Sequence, residues 1–126
     1  MEVAKKWIGI GSILVMLSVM IGAFGAHMLE PIIGEDKISV YETGVQYHMI
    51  HALGIILIGV IAKIFGEAKL LVWSARLLFI GIILFSGSLY VLSISGLGPL
   101  GAITPLGGVS FIAGWICLAV TTLKKV

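Results

Sequence analysis

Apolar residues in this chain do not alternate with polar ones. They come in long runs, broken by short clusters of charge, glycine and proline. The runs cover residues 7–29, 41–65, 70–94 and 106–123. A hydrocarbon core about 30 Å thick takes about 20 residues of helix, and each run comes near or above that length. Period-two alternation is absent, which argues against strands. Four strands could not close a membrane barrel, and an open sheet would leave its backbone groups unpaired in lipid. The pattern predicts an all-α fold: a single-domain, integral membrane antiparallel bundle of four transmembrane helices.

The breaks between the runs are short. Residues 30–40 carry Pro31 and Gly34, residues 66–69 form a tight turn, and residues 95–105 hold Gly96, Gly98, Pro99, Gly101 and Pro105. Connectors of this length predict antiparallel neighbours. Charge then orients the bundle. With four spans, Lys5, Lys6, Lys63, Lys69, Arg76, Lys124 and Lys125 share one side. Lys37 stands on the other, among Glu30, Glu35, Asp36 and Glu42. By the positive-inside rule both termini are cytoplasmic. Lys5-Lys6 followed by an apolar run and Ala23-Phe24-Gly25 has some likeness to a secretory leader. The run is long for a leader's apolar region, so it reads as a span.

Composition sharpens this picture. The chain is 60% hydrophobic and 11% charged, whereas soluble domains carry about 25% charged residues. The lipid bilayer is therefore its first partner. A net charge of +2 without a basic stripe excludes nucleic acid. Cys117 is the single cysteine, so no internal disulfide forms, and its apolar setting makes it a packing residue.

Small residues mark packing faces. Gly11, Ser18, Gly22, Gly25 and Ala26 fall on one arc of the first helix, while Gly81, Gly87 and Gly114 offer the same on later ones. In lipid such faces let backbones approach, and they also suit self-association into a homo-oligomer.

The second run departs from a plain anchor. Its uninterrupted apolar part, residues 52–62, is too short to span, so the helix must draw on residues 41–51. Thr43, Gly44, Tyr47, His48 and His51 project to one face there, continued by Gly54, with Glu42 and Gln46 off it. His27 and Glu30 close the first helix at the same depth. Ser86, Tyr90 and Ser93 share a face of the third, and Thr104 opens the fourth. All three histidines thus fall in the outer third.

Polar groups inside a span face the interior and pair with one another. One reading of this cluster is a hydrogen-bonded network that fixes helix packing. The other is a ligand site. His27, His48 and His51, with Glu30 or Glu42, are a donor set for zinc or another transition metal. Two histidines on facing helices suit haem, and the same pocket suits a quinone or a proton path. His-x-x-His alone does not choose among these. No Gly-x-Ser-x-Gly, HExxH, Walker or dinucleotide motif occurs.

Four ordered stretches carry a resemblance. GAFGAH at 22–27, TGVQYHMIHALGIIL at 43–57, FSGSLY at 85–90 and ITPLGG at 103–108 resemble the domain of unknown function 423 family, also called uncharacterised protein family 0382. The likeness extends from Trp7 to about Ala119. It implies a small multi-span protein of the plasma membrane and puts weight on His27, Gln46, Tyr47, His48, His51, Ser86 and Tyr90. It supplies no reaction. With no assembled catalytic set, the expected role is non-enzymatic: a compact bundle supporting membrane integrity or a membrane assembly. A metal, haem or quinone site is the alternative, and a small oligomeric transporter or proton pathway the third.

Overall fold

The computed structural model describes residues 2–124, and Lys125 of the basic C-terminus lies outside them. Every element among the described residues is helical: α1 (Glu2–Phe24), a π-helical turn (Gly25–Leu29), α2 (Glu30–Phe65), α3 (Lys69–Gly81), a second π-helical turn (Ile82–Ser86), α4 (Gly87–Ser95), a 3-10 turn (Gly98–Ala102) and α5 (Thr104–Lys124). Three stretches are long and apolar enough to cross a membrane: Glu2–Phe65, Lys69–Ser95 and Gly98–Lys124. The first holds both of the first two expected helices.

That 64-residue stretch is folded back on itself. Gly34, at φ 85° and ψ 168°, is its one non-helical residue. A left-handed φ costs glycine nothing, which is why the reversal falls there. Gly34, Gly66 and Gly96 are the positive-φ residues among those described, and each sits at a break between long helices. The segments on either side of Gly34 then pack antiparallel. A Cβ on Gly11 would touch Ile56 and the Ala52 carbonyl, and one on Gly59 would touch Ile8 and the Ala4 carbonyl.

Two expected loops prove to be structured. Residues 30–40 are helical apart from Gly34, because Pro31 falls in the first turn of α2, where a missing N–H costs nothing. Residues 98–102 wind into a 3-10 turn rather than an open loop.

Buried positions recur every seven residues. Ala4, Gly11, Ser18 and Gly25 form the seam of α1 and its π turn, and Ser74, Gly81 and Ser88 that of α3–α4. Gly107, Gly114 and Thr121 form that of α5, with Tyr41, His48, Ile55 and Ala62 on α2. A seven-residue repeat keeps one helix face on its neighbour, and small residues in it bring the backbones close. The outward faces are apolar, with Met28, Ile32, Ile64 and Leu123 more than 60% exposed.

Hydroxyls bind the seams together. Ser74 Oγ donates to Gly114 O at 2.7 Å, Ser110 Oγ to Leu77 O at 2.6 Å, and Ser86 Oγ to Gly44 O at 2.7 Å. Ser88 and Thr104 pair hydroxyl to hydroxyl at 2.6 Å. Each ties one helix to another, at about 0.6 kcal/mol on average for such bonds in a membrane.

Candidate functional site

The polar part of α2 is set between the two π turns. A π turn adds a residue to the helix and re-aims the side chains beyond it. In the first, Gly25 leaves room for the Tyr41 ring, and the Tyr41 hydroxyl donates to Ile21 O at 2.6 Å. In the second, Ser86 reaches the Gly44 carbonyl. Gly44 in turn makes room for Tyr90, whose ring lies 5.3 Å from that of Tyr41.

His48 is the centre of this arrangement. It is 3% exposed, and its Nδ1 lies 2.8 Å from the Tyr90 hydroxyl. If Nδ1 accepts, Nε2 carries the ring hydrogen; if Nδ1 donates, Nε2 holds an unused lone pair. The Leu14 carbonyl of α1 approaches the imidazole, but Nε2 makes no hydrogen bond of ordinary geometry. A buried polar atom without a partner costs about 1–3 kcal/mol.

His51 belongs to a second group. Its Nδ1 lies 2.7 Å from the Tyr47 carbonyl. A carbonyl only accepts, so Nδ1 carries the proton. The ring stacks on Phe111 with centroids 3.5 Å apart and planes at 12°. Tyr47, 40% exposed, leans on Phe85 with centroids 4.5 Å apart. Gly81 leaves space for Phe111, and Gly54 for Trp115.

The expected cluster is therefore divided. His48 and Tyr90 meet, Ser86 joins them through Gly44, and His51 and Tyr47 form the aromatic group with Phe111. Thr104 pairs with Ser88, and Thr43 bonds only within its helix, to Ser39 O at 3.1 Å. His27, Glu30 and Gln46 are exposed. Gln46 lines a shallow groove with Gly22, Ala26, Glu42 and Val45.

Among the described residues no three His, Cys, Asp or Glu side chains gather as metal ligands. Of the set His27, His48 and His51, His27 is exposed while His48 and His51 are buried. Of the expected packing residues, Gly11, Gly22, Gly25 and Gly54 each abut a neighbouring helix, and Ala26 is exposed. Tyr41, Ser74, Ser88, Ser110 and Phe111 were not among the expected site and packing residues. The seven-residue spacing of small and hydroxyl side chains is the signal that finds Ser74 and Ser88.

A chain helical through its described residues, with such apolar stretches and with His48, His51 and several serines buried among them, is a helical membrane protein. It belongs to the family described as protein of unknown function, DUF423, whose model matches residues 21–108. A UPF0382 membrane protein of Staphylococcus haemolyticus is 48% identical over 123 residues, covering 97% of this chain and 98% of the relative. The UPF0382 membrane protein YwdK of Bacillus subtilis is 48% identical over 120 residues, covering 95% and 98%. No solved structure matches.

Proposed function

We propose that the chain is a four-span bundle of the plasma membrane, with both termini cytoplasmic, and that its role is non-enzymatic. It is a compact bundle that supports membrane integrity or a larger membrane assembly. One observation carries the role: the buried hydroxyls of Ser74, Ser86, Ser110 and Tyr41 all donate to backbone carbonyls of other helical segments. Their polarity serves helix association rather than a substrate. The four-span reading is supported by the antiparallel packing about Gly34 and by the charge pattern. Ala4 N–H donates to Glu67, and Thr121 and Thr122 line a crevice with Gly66 and Ala68. Both ends of the described chain thus lie beside the 66–68 turn, with the basic residues around them.

Reporter fusions at Lys37 and Gly98 are expected outside and at Glu67 inside; an inverted or mixed pattern rejects the topology. Reconstituted vesicles are expected to hold a pH gradient as long as empty ones. Faster decay would turn the role into transport or proton conduction. A second reading, a ligand-binding bundle, is favoured by the unpartnered His48 Nε2. An absorption spectrum and elemental analysis of protein taken gently from its own membrane decide it. A Soret band, a bound quinone or a stoichiometric metal, lost in His48→Ala, would replace the structural role with a redox or metal one.

A further inference from the structure

A crevice of about 230 Å³ opens where the 66–68 turn meets the end of α5. Its walls are Ile61, Phe65, Ala68 and Leu71 on one side and Thr121 and Thr122 on the other. The threonines add little polarity, since their hydroxyls donate back to Cys117 O and Leu118 O at 2.8 and 2.7 Å. The interior of the crevice suits hydrocarbon.

Its mouth is cationic. Lys69 directly follows Ala68, and Lys124 stands three residues after Thr121, on the same face of α5. Both are exposed. Glu67, the acidic residue of the turn, is engaged with α1, where its carboxylate accepts the Ala4 N–H at 2.9 Å. No side chain caps the start of α3, so free N–H groups add to the positive field. Depth agrees with charge. Trp73, 45% exposed and 5.0 Å under the Arg76 guanidinium, sets this end at the level of lipid headgroups.

We propose that this crevice is a binding site for an anionic phospholipid, its acyl chain between α2, α3 and α5 and its phosphate held by Lys69 and Lys124. An apolar slot with a basic rim at the interface is complementary to that molecule and to neither a zwitterionic lipid nor a free anion. The site depends neither on how many times the chain crosses the membrane nor on which side the basic end faces.

The test uses the full chain, stripped of lipid in neutral detergent. It is offered equal amounts of phosphatidylglycerol and phosphatidylcholine with the same acyl chains, and retained lipid is counted by native mass spectrometry. Two surface lysines, at about 1 kcal/mol each, are expected to give a preference of roughly thirtyfold for phosphatidylglycerol. Lys69→Gln with Lys124→Gln brings the preference to parity. Thr122→Phe, which fills the slot from an exposed position, lowers retention of both lipids while leaving the lipid-free melting temperature unchanged. Lys37→Gln, at the other end, behaves as wild type. Equal retention by the wild-type chain would overturn the proposal, as would an undiminished preference in the double lysine variant. A thermal shift from inorganic phosphate equal to that from phosphatidylglycerol would also overturn it, by showing that the slot takes no part.

Discussion

The two halves of α2 hold the bundle together by opposite means. From Ala52 to Ala62 the helix presents Ala52, Ile55, Ile58, Gly59 and Ala62, and α1 answers with Ala4 and Gly11. Backbones nearly touch there: a Cβ on Gly59 would come within 3.0 Å of the Ala4 carbonyl. From Tyr41 to His51 rings cross the seam in both directions: Gly25 on the partner admits Tyr41, and Gly44 on α2 admits Tyr90. Lipid is as apolar as leucine, so burying leucine between helices gains little. A bundle must then rely on close dispersion contacts or on polar bonds, and α2 uses the first near Gly66 and the second near Gly34.

Glycine substitutions break that comparison most directly. Gly59→Ala should cost about 2 kcal/mol in a denaturant titration in detergent, because Ala4 O and Ile8 N at 3.0 and 3.1 Å are backbone and cannot rotate away. Gly44→Ala meets the Tyr90 ring at 2.9 Å. That ring can tilt, so about 1 kcal/mol is expected. An equal or larger cost at Gly44 would mean that the Gly34 half is backbone-packed as well.

Next in size is the His48–Tyr90 pair. Tyr90→Phe removes the bond at Nδ1 and leaves that buried nitrogen of His48 without its partner, costing about 1–2 kcal/mol. In a His48→Leu background the same change should cost far less, since no buried nitrogen is stranded. A double-mutant cycle measures the difference. Additive costs would show that the hydroxyl stabilises the bundle through something other than this histidine.

Single hydroxyls come third. Ser86→Ala and Ser74→Ala should each cost about 0.6 kcal/mol by the same titration, one in each half. A much larger loss at Ser86 would tie it to the His48 group as a unit.

How far the sequence reveals these contacts depends on the kind of interaction. Long apolar runs and glycine breaks disclose helices, because lipid forbids other backbone states. The weight placed on His48, Tyr90 and Ser86 is legible too, since buried polar groups need partners. Their partition is not. A 100° projection assumes α-helix throughout, and each π turn rotates the residues beyond it, so His27 shares a depth with His48 but not a face. Phe111 escapes notice because an aromatic in an apolar run has no pattern; only Gly81 and His51 across the interface give it meaning. The fold within residues 30–40 is hidden for a simpler reason, since Pro31 reads as a breaker unless the start of the helix is known.

The smallest effects test the division of the histidines. His27 and Gln46 are exposed and no hydrogen bond ties either to another helix, so His27→Ala and Gln46→Leu should change stability by no more than about 0.5 kcal/mol. Gln46→Leu should fall on the stabilising side, as it takes an amide out of lipid contact. The comparison with Tyr90→Phe carries the argument, because all three positions lie in the same half at similar depth. If burial and bonding decide, the costs separate by about 1 kcal/mol or more. If depth alone decides, as the projection of the sequence would have it, they are alike. A loss in His27→Ala as large as in Tyr90→Phe would reunite the three histidines in one functional group and would make the outer surface of the first π turn part of the site.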